Sequence, residues 1–265
     1  MHPMINIAVR AARSAGNLIV RQLERVDPNT ISQKSRNDFV SEVDRKAEQE
    51  IISVLHKAYP NHGILAEESG RQKGNEFVWV IDPLDGTTNY LRGFPHFAVS
   101  IALQKNGVTE HGVIYDPLRQ ELFTASRGAG ATLNDRRMRV TGLRELGGAL
   151  IGTGFPFKQH NHLPAYMEMF QSMLTRSGDL RRAGAAALDL AYVAAGRLDG
   201  FWEIGLNPWD MAAGALMVVE AGGLVTDFDN GKEYLDSGNI ICANPRLHSA
   251  MLGVIQPHRS PALRR

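Results

Sequence analysis

Cysteine is nearly absent: Cys242 is the only one in 265 residues, so no internal disulfide can form. Its place in the apolar run Ile240-Ile241-Cys242-Ala243 reads as a buried strand thiol. Also missing is any apolar stretch near the ~20 residues needed to span a bilayer. Arg10 and Arg13 interrupt the N-terminal segment before a signal-peptide core can form, so the expected location is cytoplasmic, with no membrane partner. Neither sign of charge dominates, since 29 Lys+Arg face 28 Asp+Glu for a net charge of +1. Bulk electrostatics therefore gives no argument for a nucleic-acid or membrane surface. The locally basic tail from His258 to Arg265 reads as a short solvated end. Repeats and low-complexity tracts are lacking too. What remains, 43% hydrophobic and 22% charged residues, is the composition of an ordinary globular protein. The length admits one large domain or two closely packed subdomains.

Apolar periodicity organises the chain. Ile5, Ala8, Val9, Ala12, Gly16, Ile19, Val20 and Leu23 recur at helical steps, and Val43, Ala47, Ile51, Val54, Leu55 and Ala58 give a second helix face ended by Pro60. Ser41 with Asp44 resembles an N-cap pair, and the polar stretch Asp27 to Asp38, with Lys34, reads as a mobile loop. From Phe77 to Thr141 the pattern is strands: 77–81, 97–103, 109–115, 121–125 and 137–141, separated by turn residues such as Asn106-Gly107 and Asp116-Pro117. That is an antiparallel meander. Beyond it, strand-like runs at 149–152, 198–203, 224–227 and 239–243 alternate with helices at 164–176, 185–195, 208–221 and 246–255. Antiparallel strands followed by mixed segments without a linker indicate an α+β fold with layers sharing one interior.

The segment Asp82-Pro83-Leu84-Asp85-Gly86-Thr87-Thr88-Asn89 puts two carboxylates three residues apart where the strand 77–81 opens into a Gly/Thr loop. Converging carboxylates repel unless a cation lies between them, and hard divalent cations prefer oxygen ligands. Gly-Thr-Thr backbone amides can meet an anion. A metal-dependent site acting on a phosphate is one reading; a plain turn, in which Pro fixes φ and Gly supplies positive φ, is the other. Asn207-Pro208-Trp209-Asp210 opens a helix, and an acid three residues after the N-cap has a capping explanation of its own. Glu67-Glu68 likewise reads either as part of the site or as a solvated pair. His160, His162 and the arginines at 136, 137, 139 and 144 read as solvated, and Trp202 and Trp209 as core or wall residues.

Taken together, Glu67-Glu68-Ser69, the Asp82–Asn89 segment and Trp209-Asp210-Met211-Ala212-Ala213-Gly214, ending in Glu220-Ala221-Gly222-Gly223, resemble the inositol monophosphatase family in order and spacing over nearly the whole chain. Met1-His2-Pro3-Met4 and Leu188 through Arg197 resemble its bacterial SuhB branch. Haloacid-dehalogenase phosphatases differ in having a single residue between the two acids, where Pro83 and Leu84 stand here. The resemblance implies a layered α/β/α/β/α sandwich of the sugar-phosphatase type, as a single domain over residues 1–265 with halves at about 1–145 and 146–265. It implies two to three Mg²⁺ per site: Glu67, Asp82 and the Leu84 carbonyl on one ion, Asp82, Asp85 and Asp210 on a second, and a weaker third near Glu67. Two such ions can activate a water and stabilise a leaving oxygen. In that scheme Glu67 and Thr87, the latter paired with Asp44, orient the water, and the Gly86 and Thr87 amides take phosphate oxygens. Leu84, Asp85, Asp210, Arg181, Gly184, Ala185, Ala186 and Glu203 complete the implied substrate contacts. Many relatives carry Ser or Thr where Ala185 stands, so a hydroxyl contact is lost there; Lys34 matches a lysine near the metals. The implied activity is lithium-sensitive hydrolysis of myo-inositol 1-phosphate. The alternatives are fructose 1,6-bisphosphate, a phosphoadenosine nucleotide, or a role with Nus factors and RNA polymerase in ribosomal-RNA antitermination. Relatives are commonly homodimers.

Overall fold

Small residues at helical spacing make one face of helix α1 (Pro3–Leu23) nearly flat: Ile5, Ala8, Ala11, Ala12, Ala15, Gly16 and Ile19 are its buried side chains. A Cβ on Gly16 would lie 2.7 Å from the Tyr115 ring, so glycine sets how closely the helix approaches the sheet. The computed structural model describes residues 2–23, 32–35, 38–40, 42–157 and 159–263, without the side chains of 32–35 and 38–40. Part of the stretch expected as a loop is a two-stranded ribbon, β1 (Ser32–Ser35) with β2 (Asp38–Val40). Ser41 and the Lys34 side chain lie outside the described residues. Helix α2 (Glu42–Ala58) buries Val43, Asp44, Ala47, Glu48, Ile51 and Leu55, so two acids stand one turn apart in an otherwise apolar stripe.

Next come β3 (Gly63–Ala66), β4 (Gly70–Gln72), β5 (Phe77–Asp85), the short helix α3 (Thr87–Leu91), β6 (Ala98–Lys105), β7 (Val108–Asp116), β8 (Glu121–Ser126), β9 (Gly130–Leu133) and β10 (Arg136–Arg137). They form an eight-stranded sheet in the order β10-β9-β8-β7-β6-β5-β3-β4. The meander is antiparallel from β5 to β10, but β3 joins β5 in parallel. The strand expected over 137–141 is only Arg136–Arg137, because the chain leaves the sheet at Met138. The second half comprises β11 (Leu150–Thr153), α4 (Leu163–Leu174), β12 (Asp179–Arg181), α5 (Ala186–Ala194), β13 (Gly200–Glu203), α6 (Pro208–Glu220), β14 (Leu224–Thr226), α7 (Tyr234–Ser237), β15 (Ile240–Ala243) and α8 (Pro245–Ile255). Its sheet runs β12-β11-β13-β15-β14, with parallel and antiparallel pairs.

Three apolar clusters fill the four interfaces between five layers of structure, the central one packing on both sheets. Ile51, Leu55, Trp79 and Ile101 belong to the core between α1, α2 and the first sheet. Leu188, Leu190, Met211, Met217 and Phe201 belong to the core around α5 and α6, which lie between the two sheets. Tyr166, Met169, Trp202 and Leu247 fill the space between the second sheet and α4 and α8. This is an α/β/α/β/α sandwich. Among the described residues no helix is long and apolar enough to cross a membrane. As far as Leu263 the C-terminal segment is packed against the fold and not solvated as expected, and residues 264–265 lie outside the described residues. Leu263 is buried, Ser172 and Glu168 contact His258, and Arg259 bonds the Phe228 carbonyl and pairs with Asp229.

Close approach in the central layer rests on Gly214, where a Cβ would sit 2.4 Å from Leu190 Cβ on α5. Gly214→Ala gains up to about 1 kcal/mol of helix propensity but forces α5 and α6 apart, an overpacking cost of about 1–3 kcal/mol. We expect a net loss, read as a lower urea midpoint with an unchanged m-value.

Candidate functional site

The acidic motif sits on a bulge. Between the pairs Asp82↔Ser100 and Asp85↔Ala98, β5 carries one more residue than β6. Residues three apart in a regular strand point to opposite faces, and the extra residue, at Pro83-Leu84, lets both carboxylates face one cleft. Gly86 then turns the chain with φ 92, where a Cβ would meet the His96 carbonyl at 2.9 Å. Thr87 begins α3, so the motif opens into a short helix and not the loop expected. Asn89 anchors that helix by donating to the His96 and Ala183 carbonyls, at 2.8 and 2.9 Å, which ties it to the segment before α5.

Each aspartate has one oxygen fixed by a backbone amide. Leu84 N–H donates to Asp82 Oδ1 at 2.9 Å, Ala187 N–H to Asp85 Oδ2 at 2.7 Å, and Asn207 N–H to Asp210 Oδ2 at 2.7 Å. The last is the capping box of α6, so capping and site membership coexist at Asp210. Thr87 Oγ1 lies 2.9 Å from Asp44 Oδ1 and 3.1 Å from the Leu84 carbonyl. Asp44 is 1% exposed and stands behind the cleft wall. Glu67, half-buried, follows β3 directly, with its N–H donating to the Ile81 carbonyl.

Glu67, Asp82, Leu84, Asp85, Gly86, Thr87, Gly184, Ala185, Ala186, Glu203 and Asp210 all line this cleft of about 350 Å³. Arg181 does not: it is exposed and paired with Asp179, and the neighbouring Arg182 lines the cleft instead. Phe155, Phe157, Gln159 and Asn207 are further lining residues that the sequence reading missed. The Arg182 guanidinium lies 5.3 and 5.5 Å from the Phe155 and Phe157 ring centres. A Cβ at Gly154 would meet Glu203 Oε1 at 2.0 Å, so any larger residue there would displace the Glu203 carboxyl. His162 is buried, against expectation, while His160 and the arginines at 136, 137, 139 and 144 are exposed. Trp202 is fully buried and Trp209 partly so.

Electrostatics follows from this crowding. Burial, then Glu67, Asp85 and Asp210, pushes the Asp82 carboxyl well above its usual range. Burial and Asp210 do the same to Asp85, and burial, Asp189 and Asp210 to Glu203, opposed there by Arg182. Among the described residues no three acidic, histidine or cysteine side chains close into a tight metal cage. Like-charge repulsion opposes such closure, and a cation would offset it. The donor set of carboxylates and the Leu84 carbonyl is all oxygen and suits a hard divalent cation such as Mg²⁺.

The inositol monophosphatase family model matches residues 1–260. The chain belongs to the inositol monophosphatase family. It is 57% identical to a Nus factor SuhB of Pseudomonas aeruginosa and 54% identical to that of Escherichia coli K12, in each case over all of both chains. Among solved structures, the extragenic suppressor protein suhB from Bartonella henselae superposes with a TM-score of 0.94 at 46% identity, covering 96% of this chain and 99% of the other. An inositol monophosphatase from Anabaena gives 0.84 at 39%, covering 95% and 94%. Family membership places the chain among hydrolases of phosphate esters, a generally metal-dependent class, and its SuhB relatives put it in that branch.

Proposed function

We propose that this inositol monophosphatase family member is a Mg²⁺-dependent phosphatase whose first substrate is myo-inositol 1-phosphate. The observation that carries the reading is five acids, Glu67, Asp82, Asp85, Glu203 and Asp210, lining one cleft beside the Gly86-Thr87 turn. Glu67, Asp82, Asp85, Asp210 and the Leu84 carbonyl are the residues proposed to hold two to three ions. Bound Mg²⁺ supplies water activation and charge neutralisation for an in-line displacement. Thr87 has one hydroxyl proton, and donation to Asp44 Oδ1 is the shorter of its two contacts. Its oxygen is then an acceptor that, with Glu67, orients the attacking water. The Gly86 and Thr87 amides receive phosphate oxygens, and Glu203, set against Gly154, accepts a polyol hydroxyl. Both halves contribute cleft walls, so residues 1–265 act as one domain. Phosphate release from inositol 1-phosphate, fructose 1,6-bisphosphate and a phosphoadenosine nucleotide, each with Mg²⁺, tests the reading. An inositol ester losing by about tenfold in kcat/KM moves the assignment to another ester, and no release from any overturns it.

Two partner readings accompany the enzyme. Leu163, Met167 and Leu174 form an exposed apolar row on α4, which supports a homodimer. Light scattering should give twice the mass of one chain, and a monomer would refute this. Full-length identity of 57% to a protein named a Nus factor supports a cytoplasmic antitermination role with Nus factors and RNA polymerase. Pull-down from native cytoplasm should recover transcription proteins, and their absence leaves a metabolic role alone.

A further inference from the structure

Glu48 is the second acid buried in the apolar stripe of α2, and the proposed chemistry gives it no part. Its carboxylate, 2% exposed, is forked over two consecutive amides: Glu68 N–H donates to Oε2 and Ser69 N–H to Oε1, both at 2.8 Å. Those amides directly follow Glu67, the acid that enters the cleft from the end of β3. One turn earlier on the same helix face, Asp44 holds Thr87. Helix α2 thus grips the two segments that deliver Glu67 and Thr87, although Glu48 itself is not among the residues lining that cleft.

We propose that Glu48 is a positioning residue for Glu67: it fixes the 67–69 turn from behind and so sets the aim of the Glu67 carboxylate. A charged acceptor for two adjacent N–H groups is stronger than a neutral one, and both its oxygens are used. Glu48→Gln keeps the volume but leaves one oxygen acceptor and turns an amide NH₂ toward a backbone N–H, so one bond becomes a donor–donor contact. Groups behind a metal ligand typically matter by about 10–100-fold in affinity or activity. The inference rests on the phosphatase reading for its functional consequence but not for its geometry.

Three measurements test it on the full chain with Glu48→Gln. Amide exchange at 68 and 69 should quicken, Mg²⁺ affinity by calorimetry should fall about tenfold, and kcat should fall about tenfold with KM for the ester changed much less. Glu220→Gln is the control, because Glu220 forks in the same way over Gly128 and Gly130 N–H, at 2.7 Å each, away from the cleft. It should leave Mg²⁺ affinity and kcat at wild-type values, which a general loss of turn stability would not. Wild-type exchange at 68 and 69, or wild-type Mg²⁺ affinity and kcat in Glu48→Gln, overturns the proposal. A wild-type protein that neither binds Mg²⁺ nor releases phosphate overturns the phosphatase reading instead, and exchange at 68 and 69 still decides whether Glu48 holds the turn.

Discussion

Asp82→Asn is expected to lower kcat on inositol 1-phosphate by on the order of 1000-fold and to raise the Tm of the ion-free protein at alkaline pH. The two effects have one cause. Asp82 is 2% exposed, and burial together with Glu67, Asp85 and Asp210 disfavours its charged form. Its folded pKa therefore lies above the unfolded one, so at alkaline pH, without a cation, ionised Asp82 is a burden on the folded state. Asparagine keeps an oxygen for the Leu84 N–H, so the β5 bulge persists while one charge leaves the cluster. Each kcal/mol so regained is worth about 2–4 °C in a chain of this size. Phosphate release and thermal unfolding in EDTA measure both. Turnover within tenfold of wild type would remove Asp82 from the proposed ion-holding set, and a lower Tm would show that its charge is matched by the fold.

Local periodicity made α1, α2 and most of the two sheets legible, because each buries one apolar face whose repeat is written in the sequence. The acids were legible as three motifs in order, and capping chemistry at Asn207 located the start of α6 correctly. Helix α3 was not, since Gly-Thr-Thr-Asn carries turn chemistry. Its helical turn is fixed by distant partners, the Ala183 carbonyl on Asn89 and the core around Tyr90. Arg181 and Arg182 are adjacent and alike, and which one reaches the cleft depends on how the chain leaves β12, a parity that no side chain announces. Glu48 was hidden for a further reason: its partners are backbone amides, which have no residue type. The buried Leu263 at the C-terminus was missed because one apolar residue among arginines has no periodicity to betray it.

At its buried carboxyls the ion-free protein should lose stability between about pH 5.5 and about pH 8.5, and Mg²⁺ should reduce or reverse that loss. Asp82, Asp85, Asp189 and Glu203 all have carboxyls pushed well above their usual range, with burial the first cause in each. An acid whose folded pKa is raised lends stability that is complete below its unfolded pKa and is lost as pH climbs through the folded value. The four thus act together to weaken the fold as pH rises through and beyond the ordinary carboxylate range. Opposing them are Glu42, Glu121 and Asp179, whose pKa values are lowered by Lys46, Arg197 and Arg181, and His62, His96, His111, His162 and His248, whose pKa values are lowered first by burial. All of these contribute above their unfolded values and lose it as pH falls through their folded ones, the three acids on the acid limb and the histidines near neutral pH, so only the Mg²⁺-dependent part of the slope belongs to the cleft. Mg²⁺ held as proposed would take the ionised carboxylates, so its stabilisation should grow with pH, reaching about 2.7 kcal/mol at a concentration 100 times its Kd. Unfolding curves across pH, in EDTA and in excess Mg²⁺, separate the two contributions. A Tm in EDTA that rises steadily toward alkaline pH, with no response to Mg²⁺, would mean that protein partners already neutralise these acids, leaving the cleft no charge with which to draw a cation.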